Sequence, residues 1–200
     1  MNPLTIFSQS EYENAVFSDL NLDGEEVVGK VFEHCTFTRS TFSGTELLNC
    51  SFISCSFKFC NLSSVRIVQS SFRDVLFEET KIMGVNWTKA KRPRVKLANM
   101  INFRKSNVSY SSFLGLDVRG IVMEECQAHE VDFREANLAG GNFCATDFKG
   151  SLFSRTNLNS ANFIDAMNYS INPMENDIRK GKFSLPDAIT LLSYFEIQVQ

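Results

Sequence analysis

The sequence predicts an all-β solenoid, in which short strands coil around one axis and stack, and two observations predict it. First, apolar residues recur at every fifth position over most of the chain. A period of five fits neither an α-helix, at 3.6 residues, nor a strand, at two. Second, the residue two before each apolar position is usually small. A unit that turns the chain equally every five residues explains both, and sustained self-similarity of this kind is typical of repeat architectures.

The period runs in two unbroken series, with 16 positions from Tyr12 to Trp87 and 13 positions from Phe103 to Phe163, none of them polar. Of the 19 phenylalanines, 15 lie at these 29 positions, so the period selects large apolar side chains for one structural role. Small residues two positions earlier include Ser40, Thr45, Cys50, Cys55, Cys60, Ser70, Ser106, Ser111, Ala136, Gly141, Ser151 and Ala161. We therefore expect both positions to face the interior and the other three to face solvent.

Four such units close a square coil of 20 residues, so apolar positions 20 apart share a face. Adjacent coils then stack as parallel β-ladders about 4.8 Å apart, and about seven coils give a rod of roughly 35 Å. Two faces of the first half are predicted to be wholly aromatic, which stiffens that half. These faces hold Tyr12, Phe32, Phe52 and Phe72, and Phe17, Phe37, Phe57 and Phe77.

The register breaks between the two series, at the only basic stretch. Trp87 and Phe103 are 16 residues apart, three units plus one, so we expect one extra residue between Lys91 and Met100. Residues 89–105 carry a net charge of +7, whereas residues 1–88 and 106–200 each carry −5. Two interpretations stay open: a solvated loop, or a contact for an acidic partner or nucleic acid. The contact residues would be Lys89, Lys91, Arg92, Arg94 and Lys96.

The pattern divides the chain into three parts. Residues 1–11 show no period and are predicted to form an N-terminal cap, residues 12–167 form the repeat with its register break near 88–102, and residues 168–200 change character. A solenoid end exposes unpaired ladder groups and apolar side chains. We therefore interpret the last part as either a lid or a dimerisation module.

The C-terminal part is predicted to hold a helix and a short strand. Ser184 suits a helix N-cap, with Asp187 as its capping-box partner. Phe195, Ile197 and Val199 alternate with polar residues, which indicates a strand. The candidate dimer-interface residues are Leu185, Ile189, Leu192, Phe195, Ile197 and Val199.

The six cysteines are best explained by packing. All but Cys144 occupy the small inward position, where free cysteine behaves as a small hydrophobe. Cys35 and Cys55 are 20 residues apart and would lie on adjacent coils, close enough in principle for a disulfide. A metal site finds less support, because the chain has no C-x-x-C motif and only two histidines.

No constellation predicts catalysis, a cofactor or a metal, and we expect no enzyme. His129 lies near Glu124, Glu125 and Glu130, but these are outward positions and indicate a solvated face. No apolar run approaches the roughly 20 residues of a membrane span. The N-terminus lacks the features of a signal peptide, so a soluble, cytoplasmic protein without membrane contact is expected.

Several segments resemble a known family. The residues E-A-N-L-A at 135–139, T-N-L-N at 156–159 and S-A-N-F at 160–163 match the A-(D/N)-(L/F)-x-x unit of pentapeptide-repeat proteins. The resemblance covers roughly residues 12–167. It implies a right-handed quadrilateral parallel β-helix, with the central residue and the one two before it inside.

Three further segments resemble the Qnr-like and albicidin-resistance branch of that family: M-G-V-N-W-T at 83–88, A-N-F-I-D-A at 161–166 and F-S-L-P-D-A at 183–188. The resemblance implies an end-to-end homodimer through the C-terminal tail. It also implies binding to DNA gyrase or topoisomerase IV as a mimic of duplex DNA, without direct contact to nucleic acid, and protection from albicidin- or quinolone-type inhibitors. The alternative is an interaction scaffold with a partner that is not a topoisomerase.

Overall fold

The computed structural model describes residues 7–91, 101–195 and 197. The chain winds into a right-handed quadrilateral β-helix of about eight turns, with one short helix near the C-terminus. Its strands are β1 (Glu11–Glu13), β2 (Val16–Ser18), β3 (Glu26–Val28), β4 (Val31–Glu33), β5 (Thr36–Thr38), β6 (Glu46–Leu48), β7 (Ser51–Ile53), β8 (Ser56–Lys58), β9 (Ser71–Arg73), β10 (Val75–Glu78), β11 (Ile101–Arg104), β12 (Val122–Glu124), β13 (Asn162–Phe163) and β14 (Lys182–Phe183). Two 3₁₀ helices span Trp87–Lys89 and Asp187–Phe195.

Four faces run along the rod, and every described strand pair in them is parallel. Face 1 holds the sheet β1-β4-β7-β9, and face 2 holds β2-β5-β8-β10-β11-β12 followed by β13-β14. Face 3 is a line of single bridges that begins at Asn21 and Thr41. Face 4 begins with β3-β6 and continues through Trp87, whose ring stacks on that of Phe113. Each strand is only two to four residues long because the chain must turn a corner every five residues.

Face 2 is a continuous column of nine inward side chains, from Phe17 to Phe183. Its eight steps of about 4.8 Å give a rod of about 38 Å. The pairing of Phe163 with Phe183 carries the coil beyond residue 167, where the five-residue period of the sequence ends. The three-part division of the chain remains a prediction.

The core is made of the predicted inward residues. Of the 29 periodic positions, 27 are buried, while Tyr12 and Phe17 are partly buried at the N-terminal end, where the ring of Phe7 covers them. The two aromatic columns are confirmed. On face 2, the centroid distances are 5.0 Å from Phe17 to Phe37 and 4.7 Å from Phe37 to Phe57, with the rings nearly parallel. Neighbouring columns meet edge to face, as aromatic quadrupoles favour.

The small inward residues hydrogen-bond adjacent coils together. The N–H of Cys50 donates to Ser70 Oγ at 2.9 Å, and Ser70 Oγ donates to the carbonyl of Leu47 at 2.8 Å. Thr80 is placed in the same way between Cys60 and Phe57. A hydroxyl at this position therefore satisfies one donor and one acceptor inside the core, which would otherwise be costly to bury.

Each corner uses a residue in the left-handed conformation. The second residue after the inward one has φ between 47° and 72° at nearly every described corner, and eight of these residues are glycine. None is β-branched, as expected because a β-branched side chain is least tolerated at positive φ.

The register break holds six extra residues. Lys91 still donates its N–H to the carbonyl of Ser70, as in a regular coil, but Ile101 pairs with Val75, 26 residues earlier rather than 20. The prediction of one extra residue was wrong. With one extra residue after Trp87, Phe103 would lie on face 3, but it pairs with Phe77 on face 2. The additional residues fall between Lys91 and Ile101, outside the described residues.

Candidate partner-binding surfaces

The interior is filled by packed side chains, and its thiols are inert. Five cysteines are buried, and all six are free. Burial raises the pKa of Cys55 to about 11 and that of Cys126 to about 12, so neither forms a reactive thiolate at neutral pH. Within residues 7–91, 101–195 and 197, no group of three or more His, Cys, Asp or Glu side chains is placed to hold a metal ion. The candidate functional features therefore lie on the outside of the rod.

Two of the predicted basic contacts stand exposed at the start of the extra residues. The turn Trp87–Lys89 is capped by Asn86, whose side chain accepts the N–H of Thr88 at 3.1 Å. Lys89 is the last residue of this turn and Lys91 lies two residues after it, and both side chains are exposed. The other three predicted contacts lie outside the described residues: Arg92, Arg94 and Lys96.

The far edge of the basic stretch is neutralised by ion pairs across coils. Arg104 Nε lies 3.1 Å from Glu124 Oε2, and Lys58 Nζ lies 3.0 Å from Glu78 Oε2. Because Glu78 is in register with Arg104, face 2 carries a ladder of alternating charges. This surface offers neither a uniformly basic nor a uniformly acidic patch.

The acidic residues are distributed unevenly along the rod. Five of the eleven described acids beyond Arg104 pair with an arginine: Glu124 with Arg104, and the pairs Asp117–Arg119, Asp132–Arg134, Glu135–Arg155 and Asp177–Arg179. Hydrogen bonds from Arg179 lower the pKa of Asp177 to about 2. By contrast, residues 7–33 contain one lysine and seven acids: Glu11, Glu13, Asp19, Asp23, Glu25, Glu26 and Glu33. Unbalanced negative charge is therefore concentrated at the N-terminal end.

His129 is not simply solvated among the glutamates next to it in sequence. Its Nε2 lies 2.7 Å from Asp147 Oδ2 on the following coil, and Asn168 Nδ2 donates to Asp147 Oδ1 at 2.8 Å. Burial alone would raise the pKa of Asp147, but the hydrogen bonds from Asn168 and His129 outweigh it and hold that pKa below its usual value. The expectation of a merely solvated His129 is thus corrected: it helps hold the last coils together.

The C-terminal segment caps the last coil through side chains. The N–H of Asp165 donates to Ser184 Oγ at 2.7 Å, and the N–H of Asn168 donates to Asp187 Oδ1 at 3.1 Å. Other coils satisfy these donors with the carbonyls of the next coil. The predicted capping box was therefore wrong, because both side chains bond to the solenoid end instead of to their own helix.

The outer side of this segment is apolar and exposed. Leu191 packs on the core, whereas Leu185 is 77% exposed and Phe195 is 47% exposed. The remaining described candidates for a dimer interface are also exposed: Ile189, Leu192 and Ile197. Val199 and most of the predicted strand lie outside the described residues, and Phe195 belongs to the helix. In the described part of the chain, no helix is both long enough and apolar enough to cross a membrane.

One feature of the surface was missed from the sequence, although its signal was present. On face 4, the residue after each inward side chain is aliphatic or threonine in five successive coils. These residues, here called the face 4 stripe, are Val28, Leu48, Val68, Thr88 and Leu114. The signal was an apolar residue directly after the buried one at every twentieth position, at Val28, Leu48 and Val68.

Comparison with known proteins agrees with this architecture. A trypsin-treated form of QnrB1, a plasmid-mediated fluoroquinolone resistance protein, is similar to the chain with a TM-score of 0.56 at 16% identity, covering 95% of this chain and 91% of that one. HetL, a pentapeptide-repeat protein involved in heterocyst differentiation regulation in Nostoc sp. strain PCC 7120, is similar with a TM-score of 0.54 at 14% identity, covering 91% and 92%. No curated protein matches the sequence. At these identities the likeness shows the fold alone.

The sequence itself matches a family model. The model of the pentapeptide repeat region matches residues 30–100 and 92–163, which together form well over half of the chain. The paired coils, buried central residues and left-handed corners occur in the same stretch. The chain belongs to the pentapeptide-repeat family.

Proposed function

We propose that this chain is a non-catalytic, cytoplasmic interaction protein that binds a type II topoisomerase, DNA gyrase or topoisomerase IV, as a mimic of duplex DNA. Such binding would protect the enzyme from inhibitors of the albicidin or quinolone type. The rod itself carries the proposal. A column of nine layers, about 38 Å long, corresponds to about 11 base pairs at 3.4 Å.

The width supports the same comparison. Each side of the square coil is a five-residue unit in which the chain advances at most about 3.3 Å per residue. The rod is therefore similar in width to a DNA duplex. QnrB1, which is described as a fluoroquinolone resistance protein, has a similar fold, and this is consistent with inhibitor protection as the role of such a rod. Lys89 and Lys91 are proposed to contact acidic groups of the partner beside the DNA-binding surface.

A homodimer is part of the proposal. Joining two chains through their C-terminal ends would double the rod and cover Leu185, Ile189, Leu192 and Phe195, which are all exposed. Contiguous apolar surface of this kind marks an interaction site. The dimer would place the two acidic N-terminal ends at opposite poles.

Replacing Leu192 and Phe195 with glutamate together is expected to give monomers by light scattering. The matched control is Val16→Glu, which adds a charge to an exposed aliphatic residue at the other end and should leave the dimer intact. A wild-type protein that is already monomeric would show that the tail is only a lid.

An interaction scaffold with a different protein partner is the second candidate. The paired charges beyond Arg104 favour it, because a mixed-charge surface presents little of the continuous negative potential of DNA. HetL, whose described role is in regulation of differentiation, has a similar structural likeness to this chain.

A supercoiling assay with purified gyrase separates the two candidates. Added protein should either inhibit supercoiling or preserve it in the presence of albicidin or a quinolone. The monomeric double variant should act more weakly than Val16→Glu. If the protein neither binds gyrase, nor inhibits it, nor protects it, the topoisomerase proposal is refuted and the scaffold is favoured.

A further inference from the structure

The face 4 stripe is an exposed apolar line parallel to the rod axis. Val28 is 48% exposed, Val68 is 43% exposed and Leu114 is 40% exposed, although each lies within a regular, well-packed coil. Leu48 and Thr88 fill the two positions between them and are half-buried. The five side chains span four coil steps, about 19 Å.

The other three faces do not carry such a line in the same coils. At the equivalent position each has at most one apolar residue among its first four. The residues are Glu13, Glu33, Ile53 and Arg73 on face 1, Ser18, Thr38, Lys58 and Glu78 on face 2, and Asp23, Ser43, Ser63 and Met83 on face 3. Packing of the solenoid does not require an apolar residue there, so the stripe is a property of face 4.

Charge changes sign along the stripe. Glu25 and Glu26 precede Val28 and pair with no cation among the described residues, whereas Lys89 directly follows Thr88 and is exposed. Midway, Glu46 and Arg66 form an ion pair with each other. The surface is therefore negative at its first coil, neutral in the middle and positive three coils later, a separation of about 14 Å.

We propose that the face 4 stripe binds an amphipathic α-helix of a partner protein. A helix rises 5.4 Å per turn, close to the 4.8 Å step of the coils, so about four turns match the stripe and align one apolar residue with each coil. The single line of apolar side chains suits the narrow seam of such a helix.

The charges fix the direction of the bound helix. The N-terminus of a helix carries about half a positive charge and its C-terminus about half a negative charge. The N-terminal turn therefore lies beside Glu26 and the last turn beside Lys89. Basic residues in the first turn of the partner helix and acidic residues in its last turn would strengthen the same orientation.

A second copy of this chain fits the stripe less well. The part of face 4 that carries the stripe is about 19 Å long and two outward residues wide. Its area is far smaller than the roughly 800 Å² that each partner buries in a standard interface. A single α-helix is only about 10 Å wide, so it can cover a strip of this width without a larger flat face around it. The inference does not depend on the partner being a topoisomerase.

The test uses the full-length protein and a synthetic fluorescein-labelled peptide of about 16 residues. The peptide has leucines along one seam, lysines in its first turn and glutamates in its last turn. A second peptide has the lysines and glutamates exchanged. Binding is measured by fluorescence anisotropy for wild type, Val68→Glu and the matched control Ile164→Glu, which changes an aliphatic residue of similar exposure on face 2.

The first peptide should bind saturably, and Val68→Glu should weaken binding at least about tenfold, whereas Ile164→Glu should change it less than about twofold. The double variant Glu26→Lys with Lys89→Glu should reverse the preference between the two peptides. Absence of binding, equal binding by Val68→Glu, or no reversal by the charge exchange would each overturn the proposal. So would a change in oligomeric state caused by Val68→Glu without peptide, since a second copy would then cover the stripe.

Discussion

Replacing Phe57 with alanine should cost this rod more stability than the replacement of almost any exposed residue. Phe57 is fully buried in the face 2 column. Its ring lies 4.7 Å from that of Phe37 and 5.1 Å from that of Phe77, stacked on both, and also contacts Phe42 and Phe52. The substitution removes four ring contacts and leaves a cavity between two coils.

The expected magnitude follows from burial. A phenylalanine buries roughly 150–250 Å², and at about 25 cal/mol per Å² this corresponds to an upper value of about 4–6 kcal/mol. Alanine retains part of that burial, so we expect Phe57→Ala to lower the free energy of unfolding by about 3–5 kcal/mol. The matched control is Phe59→Ala, which removes the same ring from a corner where it is 55% exposed, and should change stability by less than about 0.5 kcal/mol.

Urea unfolding followed by tryptophan fluorescence measures both variants. Trp87 is the single tryptophan, and its buried ring packs against Phe72, Phe77, Phe103 and Phe113. Because coils of a solenoid interact with their neighbours, a defect two layers away reaches this reporter. Equal midpoints for Phe57→Ala and Phe59→Ala would refute the assignment of the aromatic column as the main source of stability.

Three further predictions concern a corner, a core hydroxyl and an ion-paired carboxylate. Gly44 has φ +67° with open space around it, so Gly44→Val should lower the free energy of unfolding by about 1–2 kcal/mol through backbone strain alone, and Gly44→Asn should lower it much less. Urea unfolding midpoints measure both variants, and equal costs would contradict the role of the left-handed corner. Ser70→Ala leaves the buried N–H of Cys50 and the carbonyl of Leu47 without their partner and should lower the free energy of unfolding by about 1–3 kcal/mol. Ser70→Cys, which introduces the residue used at other inward positions, should lower it less. The reverse order in chemical denaturation would count against the bridging hydroxyl. The pKa of Asp147 is lower in the folded protein than its ordinary value of 3.8, so the ionised carboxylate stabilises the fold fully above pH 3.8, and this stabilisation is lost as the pH falls through the folded pKa. The difference in stability between wild type and Asp147→Asn should therefore shrink below about pH 4. A difference that is constant between pH 6 and pH 2 would exclude this linkage.

The period of five was enough to predict the inside of the rod. It identified the buried residues because the inward direction repeats every unit, and large apolar side chains at Phe32 or Phe148 have no other place to pack. It could not fix the size of the register break. Insertions of one and of six residues leave the same phase, since six is one unit plus one, and only the pairing of Val75 with Ile101 distinguishes them.

Contacts between coils were the other gap in the sequence analysis. His129 meets Asp147, 18 residues later, and Asn168 meets Asp187, 19 residues later, because successive coils place such residues side by side. Local patterns favoured nearer partners, namely the adjacent glutamates and a capping box. The face 4 stripe was overlooked for a related reason: its residues form a line only once the coils are stacked.

Displacement of DNA from gyrase tests the central claim most directly. The measurement is the fluorescence anisotropy of a labelled duplex bound to gyrase, titrated with this protein at several duplex concentrations. A rod that mimics DNA should raise the apparent Kd for the duplex in proportion to its own concentration while leaving the maximal signal unchanged. A duplex that stays bound with the same Kd, or a complex that holds duplex and protein together, would contradict the account.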